Sequence, residues 1–173
     1  MNLSTALSLV TVLFANNSKF ALAQRAKLAA LLAEKPVISG IVERLVATPK
    51  ADGGYDWVSS SINGTNFPTT AEPSIEGARL DKIVGSREHV LAELNRIGRR
   101  AASAAELLLW GQKNPQEQTK YWIWALAQVW VSPDDRIGCA VALDVRDGGE
   151  RYAHLDVVAF GVSVLGRVLS FPL

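Results

Sequence analysis

Apolar positions recur at helical spacing in two parts of the chain and on alternate positions in a third. Near the start, Leu7, Val10, Leu13 and Phe14 share a helical face. Asn16, Asn17 and Ser18 offer caps for a second helix carrying Ala21, Leu22, Ala26, Leu28, Leu31 and Leu32. Pro36 suits a first helical turn, and Val37, Ile38, Ile41, Val42 and Leu45 continue an apolar face. Residues 1–48 are therefore expected to form a helical part with too little core to stand alone.

The second periodic part opens at Ser86. Val90, Leu94, Ile97, Ala101, Ala104 and Leu108 follow by fours and threes, which predicts one long amphipathic helix ending near Gly111-Gln112-Lys113. Ser86 is the expected N-cap and Glu88 suits the positive helix end. A shorter helix is expected around residues 74–83, so residues 75–113 read as helical. Between the two helical parts, residues 49–74 are rich in Gly, Ser, Thr, Asn and Pro, and read as a long loop or an irregular hairpin centred on Asn63-Gly64. Long loops in compact domains generally serve binding or contact, and Trp57 and Phe67 suit this one to subunit contact.

Residues 114–173 are expected to form an antiparallel sheet. Asn114-Pro115-Gln116-Glu117 carries a helix-start signature, which leaves residues 116–130 open between helix and strand, but the aromatic and β-branched content from Tyr121 to Val131 favours strand. Alternation would place Trp122, Trp124, Leu126 and Trp130 on one face, around Gln128. Both faces of such a strand are apolar, so both need cover, one of them from another subunit or protein. Trp57, Phe67, Trp122, Trp124 and Trp130 are the expected interface residues.

The segments Ile137 to Arg146 and Arg151 to Ser163 flank Asp147-Gly148-Gly149-Glu150. A two-residue turn would oppose Arg146 to Arg151 and mix apolar with charged positions. A loop of Gly148 to Glu150, with a glycine in the left-handed region, instead pairs Asp147 with Arg151 and Val145 with Ala153. Ile137, Cys139, Val141, Leu143 and Val145 then share a face with Ala153, Leu155 and Val157, while Asp144, Arg146, Tyr152, His154 and Asp156 share the other.

Composition narrows the class. A chain of 173 residues with 49% hydrophobic and 20% charged residues fits one domain at the apolar end of the soluble range. A net charge of +1 supplies no global field toward nucleic acid or anionic lipid. The single cysteine, Cys139, excludes a disulfide framework and a cysteine zinc site, and reads as a small buried hydrophobe. Leu7 to Ala15 resembles a short signal-peptide core, followed by Ala21-Leu22-Ala23, yet Met1 to Thr5 holds no Lys or Arg. No apolar run reaches the ~18–20 residues of a spanning helix. A soluble protein is expected, cytoplasmic or within an assembled particle, and not secreted by a cleaved signal.

Two weak chemical signals remain. The chosen register sets His154 opposite Asp144 with Asp156 beside it, an arrangement that fixes an imidazole for a hydrolytic or metal-dependent reaction. Only His89 is left as a second histidine, so no metal site and no cofactor are expected. Arg96, Arg99 and Arg100, with Arg79, Lys82 and Arg87 upstream, would line one helix face for phosphates, diluted by Glu88, Glu93 and Glu106. No G-x-S-x-G, P-loop or H-E-x-x-H pattern occurs.

The reading is an α+β fold: N-terminal helices and one long amphipathic helix on a C-terminal antiparallel meander. The leading function is a non-catalytic, self-associating subunit for protein–protein contact, possible in a larger particle or phage-type assembly. The alternatives are a small hydrolase or metal-dependent enzyme at Asp144, His154 and Asp156, and nucleic-acid binding through Arg96, Arg99 and Arg100.

Overall fold

Serine caps start two of the described helices, and left-handed glycines stand before one and after another. The computed structural model describes residues 40–173, so the helices expected before Gly40 lie outside the described residues. The first described helix, α1, spans Ile41–Val46 and buries Ile41 and Val42. Helix α2, Arg87–Arg96, begins where expected: the Ser86 hydroxyl accepts a hydrogen bond from the His89 N–H at 3.3 Å.

The expected long helix is two helices. Gly98, at φ 71°, takes the chain out of α2 in a conformation that a side chain resists. Three residues, Arg99–Ala101, then run extended as β3. Ser103 starts α3, Ala104–Lys113, through a capping box: its hydroxyl accepts the Glu106 N–H at 3.3 Å, and Glu106 accepts the Ser103 N–H at 2.8 Å. Asn114 and Pro115 initiate only the one-turn helix α4, Pro115–Gln118. The aromatic run that follows is a strand.

The other strands are β1 (Trp57–Val58), β2 (Arg79–Asp81), β4 (Trp122–Val131), β5 (Gly138–Val145), β6 (Arg151–Val157) and β7 (Gly166–Pro172). They form one mixed sheet in the order β1-β6-β5-β4-β7-β2, with β3 also paired to β7. Only its centre is the expected antiparallel meander. β4 lies parallel to β7 and β1 parallel to β6. Ser170 pairs with Arg79 on one side and Ala101 on the other, so β3 continues the edge of β7 that β4 occupies earlier.

Two expectations for residues 49–83 change. Residues 79–81 are strand, not helix. The long loop is neither free nor a hairpin of its own. Asn63 Oδ1 accepts the N–H groups of Thr65 and Asn66, at 3.1 and 3.0 Å, and Phe67 and Ile62 are buried. The buried Tyr55 hydroxyl donates to the Leu108 carbonyl at 2.8 Å, and β1 joins the sheet.

Each sheet face has its own core. On one, Ile123, Val141, Leu143 and Leu169 pack with Phe67, Ile41, Leu107 and Leu108 of the loop, α1 and α3. On the other, Trp124, Ala140, Ala142 and Val168 pack with Val90 and Leu94 of α2 and with Val162. From Ile123 to Leu126 both faces of β4 therefore find cover within the chain, while Trp122 before them stays half exposed.

Candidate functional site

The β5–β6 register sets the site. Val145 stands opposite Arg151 and Leu143 opposite Ala153, two residues from the expected pairing. The connection is the five residues 146–150, closed by Arg146 N–H to the Glu150 carbonyl at 3.0 Å and Gly149 N–H to the Arg146 carbonyl at 3.0 Å. What holds this register is Arg151. Its guanidinium donates to the carbonyls of Gly53 (2.8 Å), Gly54 (3.1 Å) and Gly111 (2.7 Å) and lies over the Tyr55 ring, while its N–H donates to Asp56 at 2.8 Å. An even shift leaves sidedness intact: Asp144, Tyr152, His154 and Asp156 still share a face.

One cross-sheet row on that face runs Trp57, Tyr152, Asp144, Trp122 through β1, β6, β5 and β4; Trp57 pairs with Tyr152 and Asp144 with Tyr152, and Trp122 adjoins the Ile123–Leu143 pair. The Trp57 and Tyr152 rings lie 5.6 Å apart, and Arg146 sits 4.6 Å over Tyr152. His154 packs edge-on to Trp122 at 6.0 Å. His154 is opposite Ala142, and so diagonal to Asp144, with Nδ1 3.5 Å from Asp144 Oδ1. Both atoms are buried and lack a hydrogen-bond partner, so this is no wet cross-strand pair. Asp156 stands apart, opposite Ala140, with Oδ1 accepting the Val157 N–H at 2.8 Å. The geometry can hold an imidazole; no group of three or more His, Cys, Asp and Glu converges for a metal among the described residues.

The expected interface residues separate. Phe67 is fully buried and Trp124 is 6% exposed, which removes both from any outer surface. Trp130 leaves the face of Trp122 and Trp124: between Ala125 and Trp130 the strand advances five residues while β5 advances two, from Val141 to Cys139. That bulge reverses the side on which Trp130 emerges, and it packs against the other core. Trp57 and Trp122 remain, at 47% and 46% exposure.

The segment after β6 adds a surface that alternation did not foretell. Val158–Phe160 form a single 3-10 turn, and the chain returns to start β7 beside Trp122. This strap crosses the α2 face, burying Val162 over a crevice lined by Trp124, Leu126 and Ala140 with Arg87 and Asp156 on its walls. Gly161 lies so close to the Gly85 carbonyl that a Cβ would collide with it. Phe160, Val164 and Leu165 face outward at 89%, 64% and 76% exposure. Gly161, at φ 70°, was the signal that a strand would not continue to Ser163.

The arginine stripe does not exist as a helix face. Arg96 ends α2, paired with Glu93 at 2.9 Å. Arg99 and Arg100 alternate on β3: Arg99 donates to Ser170 and to the Gly77 carbonyl, and Arg100 forms a two-pronged pair with Glu106 at 2.7 and 3.0 Å. Burial raises the Glu106 pKa, but Arg100 and Ser103 outweigh it and leave the carboxyl below its ordinary value. Cys139 is buried, and burial, with Asp135 and Asp156 nearby, holds its thiol above the ordinary value. Among the described residues no helix is long and apolar enough to cross a membrane. No family model, curated protein or solved structure matches the chain.

Proposed function

We propose that this chain is a non-catalytic subunit that works by self-association, with protein–protein contact as its role and a larger homo-oligomer as its setting. One observation carries the reading: among the described residues, Trp57 and Trp122 on the α2 side of the sheet are about half exposed, and Phe160, Val164 and Leu165 of the strap are more exposed still. Apolar patches of this kind mark association surfaces, and tryptophans concentrate binding energy there. Native mass spectrometry of the whole chain tests it. A dimer or higher species supports the reading; a monomer alone opposes it.

A hydrolytic reading has one observation in its favour, the buried contact of His154 Nδ1 with Asp144 Oδ1. A carboxylate beside an imidazole can orient it as a general base, and a shortening of this 3.5 Å contact on substrate binding would supply that step. On this reading His154→Ala and Asp144→Asn both abolish hydrolysis of a model ester while melting temperature stays near that of the parent. Equal turnover in parent and variants removes it.

A further inference from the structure

We propose that two copies of this chain meet strap against strap, through Phe160, Val164 and Leu165; the proposal rests on the self-association reading and names the surface responsible. The strap is pinned at its middle by reciprocal bonds between Val162 and Gly85, at 2.8 and 3.2 Å, and two local turns shape it on either side, Gly161 N–H to the Val158 carbonyl and Gly166 N–H to the Ser163 carbonyl. A segment tied in this way has less freedom to lose than a free loop, which lowers the entropy cost of binding. Val84 adjoins it at 44% exposure, on the segment that pairs with Val162.

The occupant follows from charge and area. No ionisable side chain occurs between Asp156 and Arg167, so a partner selected by charge has nothing to grip on the strap. Its match must be apolar and uncharged, and a second strap is such a surface. A net charge of +1 lets two copies approach without strong repulsion. Side chains of these sizes carry on the order of 100–200 Å² each, so Phe160, Val164, Leu165 and Val84 present roughly 400 Å² at their exposures. A standard interface buries about 800 Å² per partner and is somewhat more than half apolar, so the strap supplies about the apolar share that one copy needs. A two-fold contact centred on Val162 would set Phe160 of one copy against Val164 and Leu165 of the other.

The experiment is sedimentation equilibrium of the full chain, with Phe160→Ser/Leu165→Ser, Phe160→Ser alone, and Ile97→Ser as an exposed apolar control outside the strap. The parent and Ile97→Ser should dimerise alike. The double variant should dissociate by more than about tenfold in Kd with its far-UV circular dichroism unchanged, and Phe160→Ser alone carries the test should the double variant not fold. If the folded strap variants associate as the parent does, the strap is the wrong surface and self-association stands. If the parent is monomeric throughout, self-association fails and the strap contact with it. A parent that is monomeric in solution yet co-sediments with neutral phosphatidylcholine vesicles, and loses this with Phe160→Ser, replaces the second copy by a lipid surface.

Discussion

Trp124 and Trp130 stand on the same strand and pack into opposite cores of the sheet. The bulge between them is held from three sides. Ala127 N–H donates to the Ala102 carbonyl at 3.0 Å, Gln128 Oε1 accepts the Ala104 N–H at 3.0 Å, and Gln128 Nε2 donates to the Pro68 carbonyl at 2.6 Å. Gln128→Leu leaves both of its partners without a bond and should destabilise the fold by about 1–3 kcal/mol. Urea unfolding should show a lower midpoint at unchanged slope. A midpoint equal to the parent's would mean that Gln128 does not hold the bulge.

Arg151 joins β6 to three backbone carbonyls through one planar fork. A lysine ammonium cannot reach all three in that geometry. Arg151→Lys is expected to destabilise by about 2–4 kcal/mol, well beyond the range of a surface change. Chemical denaturation measures this, and a loss within about 0.5 kcal/mol would deny Arg151 its anchoring role.

Glu106 sets an acid dependence. Its folded pKa lies below the ordinary value, because the Arg100 and Ser103 bonds outweigh burial. Its stabilising contribution is therefore present above the unfolded value of about 4.3 and disappears as pH falls through the lower folded value. Arg100 is half exposed, so solvent screens part of the pairing and Glu106→Gln should cost about 1–2 kcal/mol at neutral pH. In melts taken from neutral to acid pH, the gap between parent and variant should close below about pH 4. A gap that stays constant over that range would contradict the assignment.

Local signals in the chain were legible where a single rule governed them. Ser86 caps α2, the helix-start signature at Asn114-Pro115 opens α4, and the alternation from Trp122 makes a strand. The sidedness of Asp144 and His154 also follows from alternation, since a shift of two residues preserves it. The shift itself was not legible, because it depends on carbonyls of Gly53, Gly54 and Gly111, far from Arg151 in the chain. Ser103-x-x-Glu106 did announce a second helix start, but an unbroken apolar stripe masked both it and the break at Gly98. The place of β7 between β4 and β2 rests on long-range pairing, to which periodicity is blind. The bulge that turns Trp130 around is of the same kind, and its one trace was the polar Gln128 amid apolar positions.

Gly111 tests the packing between α3 and the sheet. In an open helix, replacing glycine by alanine stabilises by about 0.5–1 kcal/mol. Here a Cβ would run into the Tyr55 hydroxyl, Leu143 Cδ1 and the Gln118 amide, all on buried residues. Overpacking of that order costs about 1–3 kcal/mol, so Gly111→Ala should lower the melting temperature. A higher melting temperature would show that the site relaxes.

Whether this chain associates with itself decides its function. Light scattering over a dilution series of the full chain, from tens of micromolar downward, measures this directly. A molar mass at least twice 18.7 kDa at the upper end, falling on dilution or holding as a stable oligomer, is the predicted result. A mass of 18.7 kDa at every concentration would contradict it.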